Sequence, residues 1–234
     1  ANSPVAVDFT IYRCGVQDLA QPYGTCGNDE TVSGFVYPPP SIIYFKALSL
    51  LPLDLAFAAH SLLGMLALGL ALWMLVQLVQ VPRYAAFGAA AGTLAIAPVG
   101  TSIVAGQVNQ FVMTCCVAAV FFAAKRRFGA AGLAVAAGFW LKLYPAVVPA
   151  LFLIPAKRPA IPATILATLV LGAAGLFWSS PMLYAEYFLN LLPHVQGFTM
   201  PGVGHSLAGM VAHAEAGGGE PIAHFVPVAP AVQF

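Results

Sequence analysis

From Asp54 to Val79 the chain carries a single charged residue, and that one stands at the first position. A helix that is apolar all round belongs either in the core of a large protein or in lipid. This stretch exceeds the roughly 20 residues that cross bilayer hydrocarbon at about 1.5 Å each. The rest of the chain has the same character. Of 234 residues, 60% are hydrophobic and only 7% are charged, with a mean hydropathy of +0.87. Soluble domains are charged at roughly a quarter of their positions. There is too little polar surface here to cover a soluble globule, so the expectation is an all-α, polytopic membrane protein. A net charge of +1 without a polybasic run offers nothing to nucleic acid.

Prolines and basic residues divide the sequence. Residues 1–40 are polar and rich in turn formers, and read as an outer loop. Residues 41–178 form the transmembrane domain, and 179–234 a second outer loop region. Ser41 to Leu51 is too short to span and reads as an interfacial or re-entrant helix. Asp54–Val79, Tyr84–Pro98, Val108–Ala124 and Ala160–Trp178 give about four spanning helices. Gly100 to Asn109 is a polar interruption between two of them. Phe128 to Pro155 is apolar but broken at Lys142 and Pro145, which allows one kinked span or a hairpin of two half-length helices; basic clusters at both ends, Lys125-Arg126-Arg127 and Lys157-Arg158, favour the hairpin.

The charges orient this scheme. By the positive-inside rule, Arg83, Lys125, Arg126, Arg127, Lys157 and Arg158 lie in the cytoplasm. Arg13, Lys46 and Lys142 then share the outer face with all eight carboxylates. The two outer loops, Gly106-Gln107-Val108-Asn109 and Lys142 converge on that face. Of the four cysteines, Cys14 and Cys26 are spaced to allow a disulfide in an oxidising compartment. Cys115 and Cys116 sit in an apolar helix as packing residues.

Several residues carry possible chemistry, each beside a plainer reading. Asp8 can accept a proton from an attacking hydroxyl, or cap a helix. Lys142 lies deep in an apolar run, where an ammonium calls for a partner such as a lipid phosphate, or else snorkels to the interface. Lys46 shares that candidacy from a position nearer the surface. Gln107 and Asn109 can bind sugar hydroxyls or cap a helix. Tyr37-Pro38-Pro39 makes either a rigid pocket wall or a stiff connector. His205 suits phosphate binding or proton relay, ahead of His194 and His213. No histidine pair has the tight helical spacing of the usual zinc motif; no cofactor and no metal ligand is assigned, although the carboxylates elsewhere leave room for a single cation.

Taken in order, Asp8-Phe9 with Tyr12, Tyr37-Pro38-Pro39, Gly106-Gln107-Val108-Asn109 and Lys142-Leu143-Tyr144-Pro145 form a pattern. Gly204-His205-Ser206-Leu207-Ala208-Gly209 stands where a later outer-loop Asn-x-Ser element is usual. The pattern resembles the polytopic GT-C glycosyltransferases that use polyprenyl-phosphate sugars. It is closest to the bacterial mannosyltransferases, including the mycobacterial phosphatidylinositol-mannoside enzyme. Members carry an earlier transmembrane helix and several later ones, so the resemblance implies a chain that continues at both ends.

The resemblance also implies an inverting transfer of a mannose-like sugar to a lipid or cell-envelope glycan at a bacterial inner membrane. Asp8 would be the base. Lys142, helped by Arg13 or His205, would hold the phosphate, and Gln107 and Asn109 would position substrate. Two other readings compete. One is a non-catalytic subunit packing against membrane-protein partners. The other, a transporter, is disfavoured because the polar elements gather at one face instead of the bilayer midplane.

Overall fold

The computed structural model describes residues 7–23, 35–80 and 97–192, with scattered positions between 82 and 92. Among these residues the secondary structure is helical, without strands. The helices are α1 (Val7–Gly15), α2 (Ile42–Ser49), α3 (Leu53–Val79), α4 (Ala97–Ala105), α5 (Asn109–Ala124), α6 (Phe128–Leu141), α7 (Ala160–Gly175) and α8 (Pro181–Ala185). A 3₁₀ helix, Tyr144–Leu153, follows α6, and a π-helical turn, Glu186–Leu191, follows α8.

α3 packs on α5, α5 on α6, and α6 on α7. Only α3 is long and apolar enough to cross a membrane by length and composition, among the described residues. α5, α6 and α7 are shorter apolar helices. Much of α3 faces outward with Leu62, Leu66, Leu70 and Trp73 exposed, and α7 does the same with Ile165, Leu166, Leu169 and Val170. Lipid tails cover such surfaces at no cost, whereas water does not. Where helices meet, small residues let them close. A Cβ on Gly132 of α6 would lie 2.5 Å from the backbone of Ala163 and Thr164 in α7. Trp140 of α6 donates to the Thr168 carbonyl of α7 at 2.9 Å.

The predicted break after α6 is present. The helix stops at Lys142, whose backbone is extended. The chain then runs back as the 3₁₀ helix, which contains Pro145 and Pro149. Proline lacks the amide hydrogen that α winding needs. Ten residues is long for 3₁₀ winding, which rarely exceeds a turn or so. This segment packs on α5, α6 and α7. At its far end Lys157 donates to the Ala123 carbonyl at 2.9 Å. The exposed Lys125-Arg126-Arg127 cluster is adjacent, so the two basic groups share one end of the bundle.

Three expectations change. The predicted outer loop 1–40 contains α1. It forms because Phe9, Tyr12 and Val16 recur on one face and bury themselves, while Thr10 and Gln17 remain exposed. The supposed interruption at Gly100–Asn109 narrows to Gly106–Val108, because α4 continues through Thr101 and Ser102. The supposed loop after residue 178 begins with helix, capped by the Ser180 hydroxyl accepting from the Leu183 amide at 3.3 Å. The short helix expected at Ser41–Leu51 is α2, which buries Ile42, Phe45 and Leu48. Cys14 is disulfide-bonded, Cys26 lies outside the described residues, and Cys115 and Cys116 are free thiols.

α1 and α2 brace each other. Arg13 Nη2 of α1 donates to the Ser49 carbonyl at 3.4 Å, at the end of α2. Lys46 of α2 donates to the Val16 carbonyl at 3.3 Å, just beyond α1. Each cation thus meets the negative end of the other helix.

Candidate active site

The tight turn between α4 and α5 carries the site. Gly106 has φ +74°, a conformation that costs glycine little. Its backbone also presses against α1, since a Cβ there would lie 2.5 Å from Phe9 Cβ. Gly106→Ala is therefore expected to destabilise the chain by about 2 kcal/mol or more. A thermal melt in detergent checks this, and an unchanged melting temperature would show that the turn has room to move.

Gln107 leaves this turn towards α1, and its Nε2 donates to Asp8 Oδ2 at 2.6 Å. Gln107 Oε1 accepts from Asn109 Nδ2, also at 2.6 Å. Asn109 Oδ1 in turn accepts from Lys142 Nζ at 2.9 Å and from the Tyr144 hydroxyl at 3.1 Å. The four polar residues, drawn from three separate stretches of sequence, form one run. Its polarity is fixed at both ends. A carboxylate requires a donor and an ammonium requires an acceptor, so both amides must point the same way. Lys142 also lies 5.4 Å from the centre of the Tyr144 ring.

Asp8 has a further neighbour in Tyr12, a buried phenol whose ring packs on Tyr37 with centroids 4.6 Å apart. Burial pushes the Tyr12 phenol far above its ordinary range, and Tyr37 and Asp8 push it further. Tyr12 therefore stays neutral beside the carboxylate. Tyr37 is buried and stacked on Phe45 with centroids 5.5 Å apart.

Two cavities flank Tyr144. One, of about 420 Å³, is bordered by Tyr37, Lys142, Tyr144 and Tyr187. The other, of about 430 Å³, runs along α5 from Asn109 to Cys116, with Leu68 and Ser102 opposite. Both walls are mostly apolar, and both reach the polar run at Tyr144. Asp8 borders neither cavity and connects to them through Gln107 and then Asn109.

Residues 35–234 match glycosyltransferase family 87, a GT-C-type family. The chain belongs to that family. No curated protein and no solved structure matches it. Family 87 members are membrane glycosyltransferases, in keeping with the apolar, lipid-facing surfaces of α3 and α7.

For a family 87 glycosyltransferase, the structure gathers Asp8, Gln107, Asn109 and Lys142 into one network and puts Tyr37 beside it. Arg13 is not in that network. Its Nη2 is turned to Ser49, and its Nη1 is buried without a partner among the described residues. His205, with the rest of Gly204–Gly209, lies outside the described residues, as do His194 and His213. The sequence reading passed over His60 and Tyr44, which are hydrogen-bonded to each other at 2.8 Å and packed against the turn. A signal was available, because an ionisable side chain inside an apolar span is by default a candidate for function.

Proposed function

We propose that this glycosyltransferase moves a mannose-like sugar from a polyprenyl-phosphate donor to a lipid or cell-envelope glycan acceptor, with inversion, at the outer face of a bacterial inner membrane. The single observation that carries this reading is the continuous run from Asp8 through Gln107 and Asn109 to Lys142. It holds a proton acceptor and a cation at fixed opposite ends of two aligned amides.

The chemistry follows from those ends. Asp8 accepts the proton of the acceptor hydroxyl. The hydroxyl oxygen attacks the anomeric carbon on the face opposite the lipid phosphate. The carbon–oxygen bond to phosphate breaks, and its electron pair stays on the phosphate. That group gains negative charge as it leaves, and the Lys142 ammonium stabilises it. Tyr144 and the amide of Asn109 supply further polar contacts. The flanking cavities suit a chain that stays in lipid while its head group reacts. The basic end of the bundle lies at the opposite pole, which supports placing the site outside.

The test is sugar transfer by the native chain in vesicles supplied with a polyprenyl-phosphate sugar or the matching nucleotide sugar. Transfer is expected from the lipid donor alone, with the anomeric configuration inverted in the product. Equal use of the nucleotide sugar, or retention of configuration, would overturn the reading.

A further inference from the structure

The Gly106–Asn109 turn is held from behind. The Gln107 backbone carbonyl accepts from His60 Nε2 at 3.2 Å. His60 lies within α3 and is 2% exposed. A carbonyl oxygen can only accept, so the ring proton is on Nε2. In the neutral ring Nδ1 is then left to accept from the Tyr44 hydroxyl, 2.8 Å away. Both nitrogens are used, as burial of a polar ring requires.

The ring is also gripped by aromatic faces. Phe9 lies at 5.1 Å and Phe111 at 5.5 Å, centroid to centroid. Phe9 is next to Asp8 in sequence, and Phe111 follows Asn109 by two residues. His60 therefore joins α1, α2, α5 and the turn at one point. The second lone pair of the Gln107 carbonyl is taken by the Gln110 amide at 2.9 Å, in the orientation that satisfies that side chain. An apolar residue would fill the same space in α3 but could not hold the carbonyl.

We infer that His60 is a positioning residue for sugar transfer. Oriented by Tyr44, it pins the Gln107 backbone and so sets where the Gln107 amide meets Asp8. This rests on the transfer reaction proposed above, in which His60 touches no substrate.

The full chain is reconstituted in vesicles with a polyprenyl-phosphate sugar and acceptor. His60→Leu is expected to lower kcat about 30-fold while the KM for donor changes less than about threefold, the scale of one lost buried hydrogen bond. His60→Gln, whose amide can donate to the same carbonyl, recovers most of that loss. Amide hydrogen exchange across 106–109 needs no substrate. It accelerates about tenfold in His60→Leu and moves back towards native in His60→Gln. If His60→Leu does not accumulate, Tyr44→Phe carries the test with a loss of about fivefold. Native kcat and native exchange in His60→Leu would overturn the inference, and so would a Gln variant no better than Leu. If the native chain transfers no sugar while the exchange pattern appears as described, the transfer reaction fails and the hold of His60 on the turn stands.

Discussion

Asp8→Asn is expected to lower kcat for sugar transfer by about a thousandfold, with the KM for donor nearly unchanged. The substitution is the mildest one possible at this position. An asparagine oxygen can still accept the 2.6 Å hydrogen bond from Gln107 Nε2. Tyr12 stays neutral beside it, because burial keeps its phenol protonated. The run of amides therefore survives, and the lost property is the ability to take a proton. A loss confined to kcat identifies an interaction made in the transition state. Steady-state kinetics over a range of donor concentrations checks this, and retention of more than about a tenth of native kcat would remove Asp8 as the base.

Lys142→Met is expected to lower kcat about a hundredfold and to raise the donor KM as well, because the ammonium contacts the phosphate both before and during bond cleavage. Methionine keeps most of the aliphatic stem. Asn109 Oδ1 retains the Tyr144 hydroxyl, at 3.1 Å, as a donor. The fold should survive, and the deficit should be electrostatic. Lys142→Arg keeps the charge but not the compact head, so it should recover only part of the loss. The measurement is transfer rate against donor concentration for the three proteins. Turnover of the Met variant within about threefold of native would mean that another group neutralises the phosphate.

Much of this site was legible because its members interrupt apolar sequence. Gln107, Asn109 and Lys142 are conspicuous where almost every neighbour is a hydrocarbon, whereas Asp8 stands in a polar stretch and is marked only by its immediate apolar neighbours Val7 and Phe9. The break at Lys142 was legible because a charge and Pro145 coincide there. α1 was harder to see. Its polar residues are as frequent as in a loop, and only the spacing of Phe9, Tyr12 and Val16 reveals a face. Arg13 was given to phosphate, as a helper to Lys142, only by the resemblance. Sequence cannot show that the C-terminal end of α2 lies within its reach and accepts its hydrogen bond. His60 was missed. Its place in an apolar run was a signal, but its two partners, Tyr44 and the Gln107 carbonyl, come from distant parts of the chain.

The hairpin through Lys142 has a consequence for length. α6 has 14 residues, which at about 1.5 Å each rise roughly 21 Å. The returning 3₁₀ segment has 10, which at about 2.0 Å each descend roughly 20 Å. The two limbs match in height although they differ in residue number, and Lys142 hangs at their apex like a weight on a cord cut to measure. The tighter winding takes up the slack that four more residues would otherwise leave. One residue added to either limb would shift the ammonium by about 1.5–2 Å, or turn it about a third of the way round the axis. Either change is enough to part it from Asn109. The gauge between the basic pole and the reacting pole is therefore set by residue count.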